Sequence, residues 1–173
     1  MRNIIIAASI GIVIVIGGYV FLQSANQSGQ TQIPNTTTQT VTSSATKPVP
    51  GYQGKVLAGS AAPFLEFSKV DYDKALAEGK IILLDFYANW CPICRSEAPM
   101  LHTGFDGLTT DQVIGFRVNY NDSDTDEAEK ALARQFNITY QHTKVILKNG
   151  QQFSKSLDSW TKEDFDKEIS KAL

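Results

Sequence analysis

Hydrophobic positions are spread very unevenly along this chain. From Ile4 to Leu22 the run IIIAASIGIVIVIGGYVFL holds 19 residues without a charge. At 1.5 Å rise per residue that is about 28 Å, close to the thickness of a bilayer's hydrocarbon core. It predicts a helix long enough to span. The run is longer than the ~7 to 15 residues of a signal-peptide core, and Gln23 stands where a cleavage site wants a small residue. Residues 1–22 therefore read as an uncleaved signal anchor, with the lipid bilayer as partner of residues 4–22. Residues 23–58 change to Ser, Thr, Gln, Asn and Pro with almost nothing to bury, so they cannot offset the entropy of being ordered and read as a flexible spacer.

From residue 59 to 173 the pattern becomes globular, and strand-like runs alternate with helical ones, which predicts an α/β fold. PFLEF (63–67) predicts a short strand. DYDKALAEGK (71–80) predicts a helix with Asp71 as N-cap and Gly79 beyond its end. IILLDFYA (81–88) is continuously apolar, as expected of a central strand buried on both faces. VIGFRVNY (113–120) predicts another strand. DTDEAEKALARQF (124–136) predicts a helix with a capping box from Asp124 and Glu127 and a stripe of Ala128, Ala131, Leu132 and Gln135. TKVILKNGQQFSKSL (143–157) predicts a hairpin about Asn149-Gly150. The last helix should start at Thr161, with Asp164 three residues on, and bury Phe165, Ile169 and Leu173.

Charge narrows the classes of function. The first fifty residues hold only Arg2 and Lys47 as charged groups, so removing them from 16 Lys and Arg leaves 14 against 18 Asp and Glu, a net of −4 for the rest. No basic face for nucleic acid is indicated. Arg2 on the short side of the apolar run leaves the N-terminus cytoplasmic by the positive-inside rule. A single-pass protein with its globular part outside the cytoplasm, in a periplasm-like space, is the expectation.

Cys91 and Cys94 are the only cysteines among 173 residues. Cys91 follows the buried strand, and Pro92 suits the first position of a helix, where its fixed φ and missing N–H cost nothing. Cys91 then caps a helix N-terminus, where unpaired N–H groups and the helix dipole favour a thiolate, the nucleophilic form. Cys94 lies three residues later on the same face. A disulfide there closes a ring too small to add much stability, and a metal clip needs more ligands than one C-x-x-C offers, with only His102 and His142 in reserve. A reversible redox dithiol is the favoured reading of the pair, in a compartment where disulfides persist.

The stretch ILLDFYANWCPICRSEAPML resembles the active-site region of thioredoxin-fold oxidoreductases, with D-F-[WY]-A before W-C-x-x-C-[KR] and an Ala-Pro pair inside the helix. RVNYND, ARQFNI and the VILKNGQ hairpin extend the resemblance over residues 62–173. It implies a thioredoxin fold, a central mixed β-sheet flanked by helices. The anchor, CRSEAP and DTDEAEKALARQFNI are similar to two extracytoplasmic branches: tethered TlpA-like reductases of the cytochrome c maturation type, and the C-terminal domain of DsbD-type transmembrane reductases. The implied activity is thiol-disulfide exchange with protein thiols and disulfides, fed by an upstream membrane or extracytoplasmic electron donor, with no cofactor beyond the Cys91–Cys94 disulfide.

The same resemblance implies roles residue by residue. Cys91 would attack and Cys94 resolve the mixed disulfide. Asp85 matches a buried acid that moves the proton on or off Cys94, and Arg117, where many relatives have lysine, would favour its ionised form. Trp90 would form a contact surface beside the thiol. Pro92 and Ile93 lie between the cysteines, Pro92 as in glutaredoxin and oxidising Dsb-type motifs. Pro99 would kink the helix. Glu97 matches an acid that tunes the cysteines in the cytochrome-maturation branch, or is a solvated helix residue.

One position departs from the pattern. Where the family carries a cis-proline before the hairpin strand, this chain has His142, in TYQHTKVIL. A non-proline residue prefers the trans bond by ~3 to 4 kcal/mol, so either the loop changes shape or His142 holds a cis bond. His142 could favour the Cys91 thiolate as a cation or donor, join Cys91 and Cys94 on zinc or an iron–sulfur cluster, or face solvent. A binding module that holds metal or a partner without turnover is the competing class of function. His102 reads as a surface residue or a partner of the helix C-terminus.

Overall fold

In the computed structural model of the protein, the residues described are 49–173. The apolar run 4–22 and most of the spacer lie outside them. Among the described residues no helix is long and apolar enough to cross a membrane.

The six strands among these residues are β1 (Val56–Ala58), β2 (Phe64–Glu66), β3 (Ile81–Tyr87), β4 (Val113–Asn119), β5 (Thr143–Lys148) and β6 (Gln151–Ser156). They form one mixed sheet in the order β1-β2-β4-β3-β5-β6. β3 runs parallel to β4 and antiparallel to β5, so it sits inside the sheet with neighbours on both sides. Four helices cover the two faces: α1 (Lys69–Ala77), α2 (Pro92–Gly107), α3 (Glu127–Gln135) and α4 (Lys162–Ala172).

Alternation along β3 assigns the faces, because successive strand side chains point opposite ways. Ile82, Leu84 and Phe86 pack with Tyr72 and Ala75 of α1 and Leu132 and Ala133 of α3. Ile81 and Leu83 pack with Leu101 and Phe105 of α2 and Phe165 and Ile169 of α4. Asp85 continues the second set and therefore faces α2. On the same side of β4, Gly115 leaves room for Phe64 and Phe105, which stack 4.9 Å apart. A Cβ on Gly115 would meet both rings, that of Phe64 at 2.6 Å.

The hairpin turns at Asn149-Gly150 as expected, with both φ values positive at 55° and 72°, the backbone a type I′ turn requires. α4 carries the Thr161/Asp164 capping box and buries Phe165 and Ile169, but Leu173 is exposed and Ala172 takes the buried place.

Other sequence expectations need correcting. β1 lies within the stretch read as spacer and pairs with β2. α1 starts after Ser68, and Asp71 is in its first turn, buried, accepting the N–H groups of Gln53 and Gly54. Asp71 thus ties down the incoming chain instead of capping. α3 is capped by Asp126 with Glu129, not by Asp124 with Glu127. Its buried residues are Glu129, Leu132 and Ala133, while Ala131 and Gln135 are exposed.

Candidate active site

β3 ends at Tyr87, and the chain turns through Ala88, Asn89 and Trp90 into α2. Cys91 donates its N–H to the Ala88 carbonyl at 3.0 Å and takes the N-cap position with extended φ and ψ. Its Sγ accepts the N–H of Cys94 at 3.2 Å, so this sulfur satisfies one of the orphan donors at the helix start. Pro92 occupies the first turn. Both cysteines are free thiols, 4% and 5% exposed. The turn is braced by Asn89, whose N–H meets Asp122 Oδ2 at 2.8 Å and whose carbonyl accepts Arg95 Nη1 at 2.8 Å. Around this point Trp90 is 49% exposed, with its indole N–H on the Asn121 carbonyl at 3.0 Å, and Ile93 is equally open.

Asp85 lies beneath the dithiol. Its register partners are Arg117 on β4 and Lys144 on β5, and directly opposed strand residues point to the same face. Burial pushes the Asp85 carboxyl up to about 7; the nearby Lys144 ammonium opposes this, the Glu97 carboxylate adds to it, and Arg117 lowers it least. Arg117 acts in the expected direction but is outweighed by burial. Its guanidinium is paired with Glu66 at 2.9 Å and lies over the Tyr87 ring. The Cys94 thiol is pushed up to about 12, first by burial, then by its hydrogen bond with Cys91, with a backbone contact to Ala88 opposing and the charges of Cys91 and Asp85 adding.

Glu97, three residues past Cys94 on the buried side of α2, is not solvated. Its Oε2 accepts Lys144 Nζ at 2.5 Å and its Oε1 accepts the backbone N–H of Trp160. Lys144 is 1% exposed, also donates to the Asp158 carbonyl at 3.0 Å, and sits 5.6 Å from the Trp160 ring centre.

His142 is buried beside this pair. Every peptide bond among the described residues is trans, and His142 instead adopts φ +69°, the left-handed region in which His is one of the more tolerated residues. Its N–H donates to the Phe86 carbonyl at 2.6 Å, and its Nε2 is 3.0 Å from Ser159 Oγ. Nδ1 lies 2.9 Å from Glu97 Oε2 but out of line for a hydrogen bond. Burial and then the Lys144 charge hold the imidazole below its ordinary range, against the pull of Glu97.

A dithiol at the N-terminus of a helix, above a buried strand acid in a mixed sheet, is paired with a sequence match: residues 63–171 match the family Thioredoxin. The chain belongs to the thioredoxin family. This thioredoxin is 32% identical over 102 residues to Thioredoxin H4 of Arabidopsis thaliana, a match spanning 59% of the chain and 79% of that protein. Among solved structures it is similar to Trxlp from Edwardsiella tarda, with 27% identity, a TM-score of 0.50 and coverage of 58% of this chain and 93% of the other. A mutant thioredoxin from Halobacterium salinarum superposes with a TM-score of 0.51 over 66% of this chain and 96% of the other; at 22% identity it shows the fold. The chain is a thiol-disulfide oxidoreductase, and proteins of this kind act on protein disulfides.

Several sequence readings of this thioredoxin change at the site. His142 neither holds a cis bond nor faces solvent, and its neutral ring turns to Glu97 and Ser159 rather than standing as a cation beside Cys91. Among the described residues no three His, Cys, Asp or Glu side chains are grouped to hold a metal, and the ring nitrogens of His142 lie against Ser159 and Glu97. His102 lies mid-helix, half-buried and edge-on to Phe64 at 6.0 Å, with its imidazole lowered by burial; it is not a partner of the helix end. Lys144 and Trp160 escaped the sequence reading. The available signal was a lysine on the inward side of an otherwise apolar strand, in step with Ile146, with an acid at Glu97 to meet it.

Proposed function

We propose that this thioredoxin reduces protein disulfides by exchange at Cys91 and Cys94, outside the cytoplasm, held to the membrane by residues 4–22. The supporting observation is the position of Cys91 Sγ at the helix N-cap with the Cys94 N–H on it, above the buried Asp85 carboxyl. The Cys91 thiolate attacks a substrate sulfur, forming a mixed disulfide and expelling the other substrate sulfur as thiolate. The Cys94 thiol then gives its proton to the Asp85 carboxylate and attacks Cys91 Sγ. The Cys91–substrate bond breaks, its electron pair leaves with the substrate sulfur, and the Asp85 proton passes to that thiolate or to water. The enzyme ends as the Cys91–Cys94 disulfide, the substrate as a dithiol, and an upstream dithiol donor in the membrane or extracytoplasmic space restores the enzyme.

Membership of the thioredoxin family supports this direction, since thioredoxins lie at the reducing end of the range, near about −270 mV. Burial, with the Asp85 charge adding, keeps Cys94 a thiol, so its attack waits for a base to take the proton. Exposed Trp90 and Ile93 would meet the substrate chain. The test is reduction of insulin disulfides by the full chain in detergent. Turnover that is abolished in C91S and stalled as a mixed disulfide in C94S supports the proposal. Thiols that bind partners with no turnover in either direction would favour a binding module. For the tether, labelling of Cys91 in intact cells by a membrane-impermeant thiol reagent is the expected result, with the protein retained in membranes after alkaline washing.

A further inference from the structure

A buried lysine needs a reason, because an ammonium taken from water costs several kcal/mol unless other groups compensate. Lys144 occupies an inward position on β5 that the alternation of the strand otherwise gives to an apolar side chain, with Ile146 next on the same face. Glu97 alone would justify a simple buried ion pair. The register does more, because Lys144 stands directly opposite Asp85 on β3, and side chains so opposed have Cβ atoms about 4.5 to 5.5 Å apart.

The groups that face Asp85 from each packed element can be named. β5 brings Lys144, and β4 brings Arg117, whose guanidinium is engaged by Glu66. α2 brings Cys91, Cys94 and Glu97, with His102 farther along near Arg117. The loop before β5 brings His142, held neutral. With Glu97 and Asp85 both ionised, Lys144 is the one fully buried cation among these groups against two acids. It can neutralise one of them, and its hydrogen bond goes to Glu97.

We propose that Lys144 is a positioning residue for disulfide exchange: its charge, divided between Glu97 and its cross-strand neighbour Asp85, sets how readily Asp85 accepts the Cys94 proton. The inference rests on the role of Asp85 proposed above. Glu97 acts from the other side, by occupying the lysine. A lysine freed from Glu97 turns its full charge on Asp85, and loss of the lysine leaves Asp85 facing a bare carboxylate. The two substitutions should therefore have opposite effects, which a purely structural pair would not produce.

The test uses the full chain in micelles, with 13C-labelled aspartate and the Asp85 signal identified by its loss in D85N. E97Q should move the Asp85 titration midpoint down, and K144M should move it up, each by about one pH unit or more. K144M/E97Q should return it towards the parent. The acid limb of the rate of insulin-disulfide reduction should move with the midpoint in each variant. Midpoints that stay put, or move the same way in E97Q and K144M, overturn the proposal. If K144M fails to fold with Glu97 unpaired, E97Q decides, since it keeps Lys144 against Asp85 and leaves no buried carboxylate without its cation. An acid limb that persists in D85N removes the proposed role of Asp85; a limb lost in D85N but unmoved in E97Q removes only that of Lys144.

Discussion

At Asp85 the central strand carries a carboxyl into a space closed to water, and ionising it there is costly even with Lys144 opposite. The consequence for stability has a definite sign. Unfolded, the group titrates near the ordinary 3.8; folded, near about 7. The folded state thus binds the proton more tightly, its contribution is complete below pH 4, and it is lost as pH rises to 7. At 1.36 kcal/mol per pH unit the loss is at most about 4 kcal/mol. Urea denaturation of the reduced protein should show this decline between pH 4 and 7, and D85N should largely lack it. Asp85 was legible because its spacing from Cys91 matches a family pattern. Lys144 was not, since strand-forming lysines are common at edges and only the fold shows this one facing inwards.

The helices show how local signals compete. Asp124 with Glu127 and Asp126 with Glu129 offer the same capping spacing two residues apart. The structure takes the second because the Asp124 carboxylate is engaged before the helix, accepting Asn89 Nδ2 at 3.2 Å and Ser123 Oγ at 3.1 Å. D126A should destabilise the protein by about 1 kcal/mol, the usual worth of an N-cap, and D124A by much less, as read from urea midpoints. Strands were easier to place than helix starts, since an apolar run as short as β3 suits a buried strand and is too short for a buried helix. Gly115 illustrates what a strand pattern conceals: it looks like a weak point, yet its bare Cα admits Phe64 and Phe105. G115A should cost about 1 to 3 kcal/mol through overpacking, visible as a lowered Tm.

For the whole molecule, the proposed reductase role predicts a potential on the reducing side of about −200 mV, nearer the thioredoxin end of the family range than the Dsb end. Equilibration with glutathione followed by thiol trapping measures it, and a value near −120 mV would reverse the proposed electron flow. His142 marks the limit of reading this site from sequence. The loss of a proline was plain, but the trans backbone and the turn of the ring towards Glu97 and Ser159 depend on strand neighbours far along the chain. The loop after β6 is bound to the same cluster through Asp158, Ser159 and Trp160, and this gives the protein a pair of optical reporters. Its two tryptophans sit in opposite settings, Trp90 open at the thiols and Trp160 buried over Lys144. W90F should leave one blue-shifted emitter whose fluorescence follows the charge state of the buried cluster, while W160F should leave one red-shifted emitter that responds when a substrate docks.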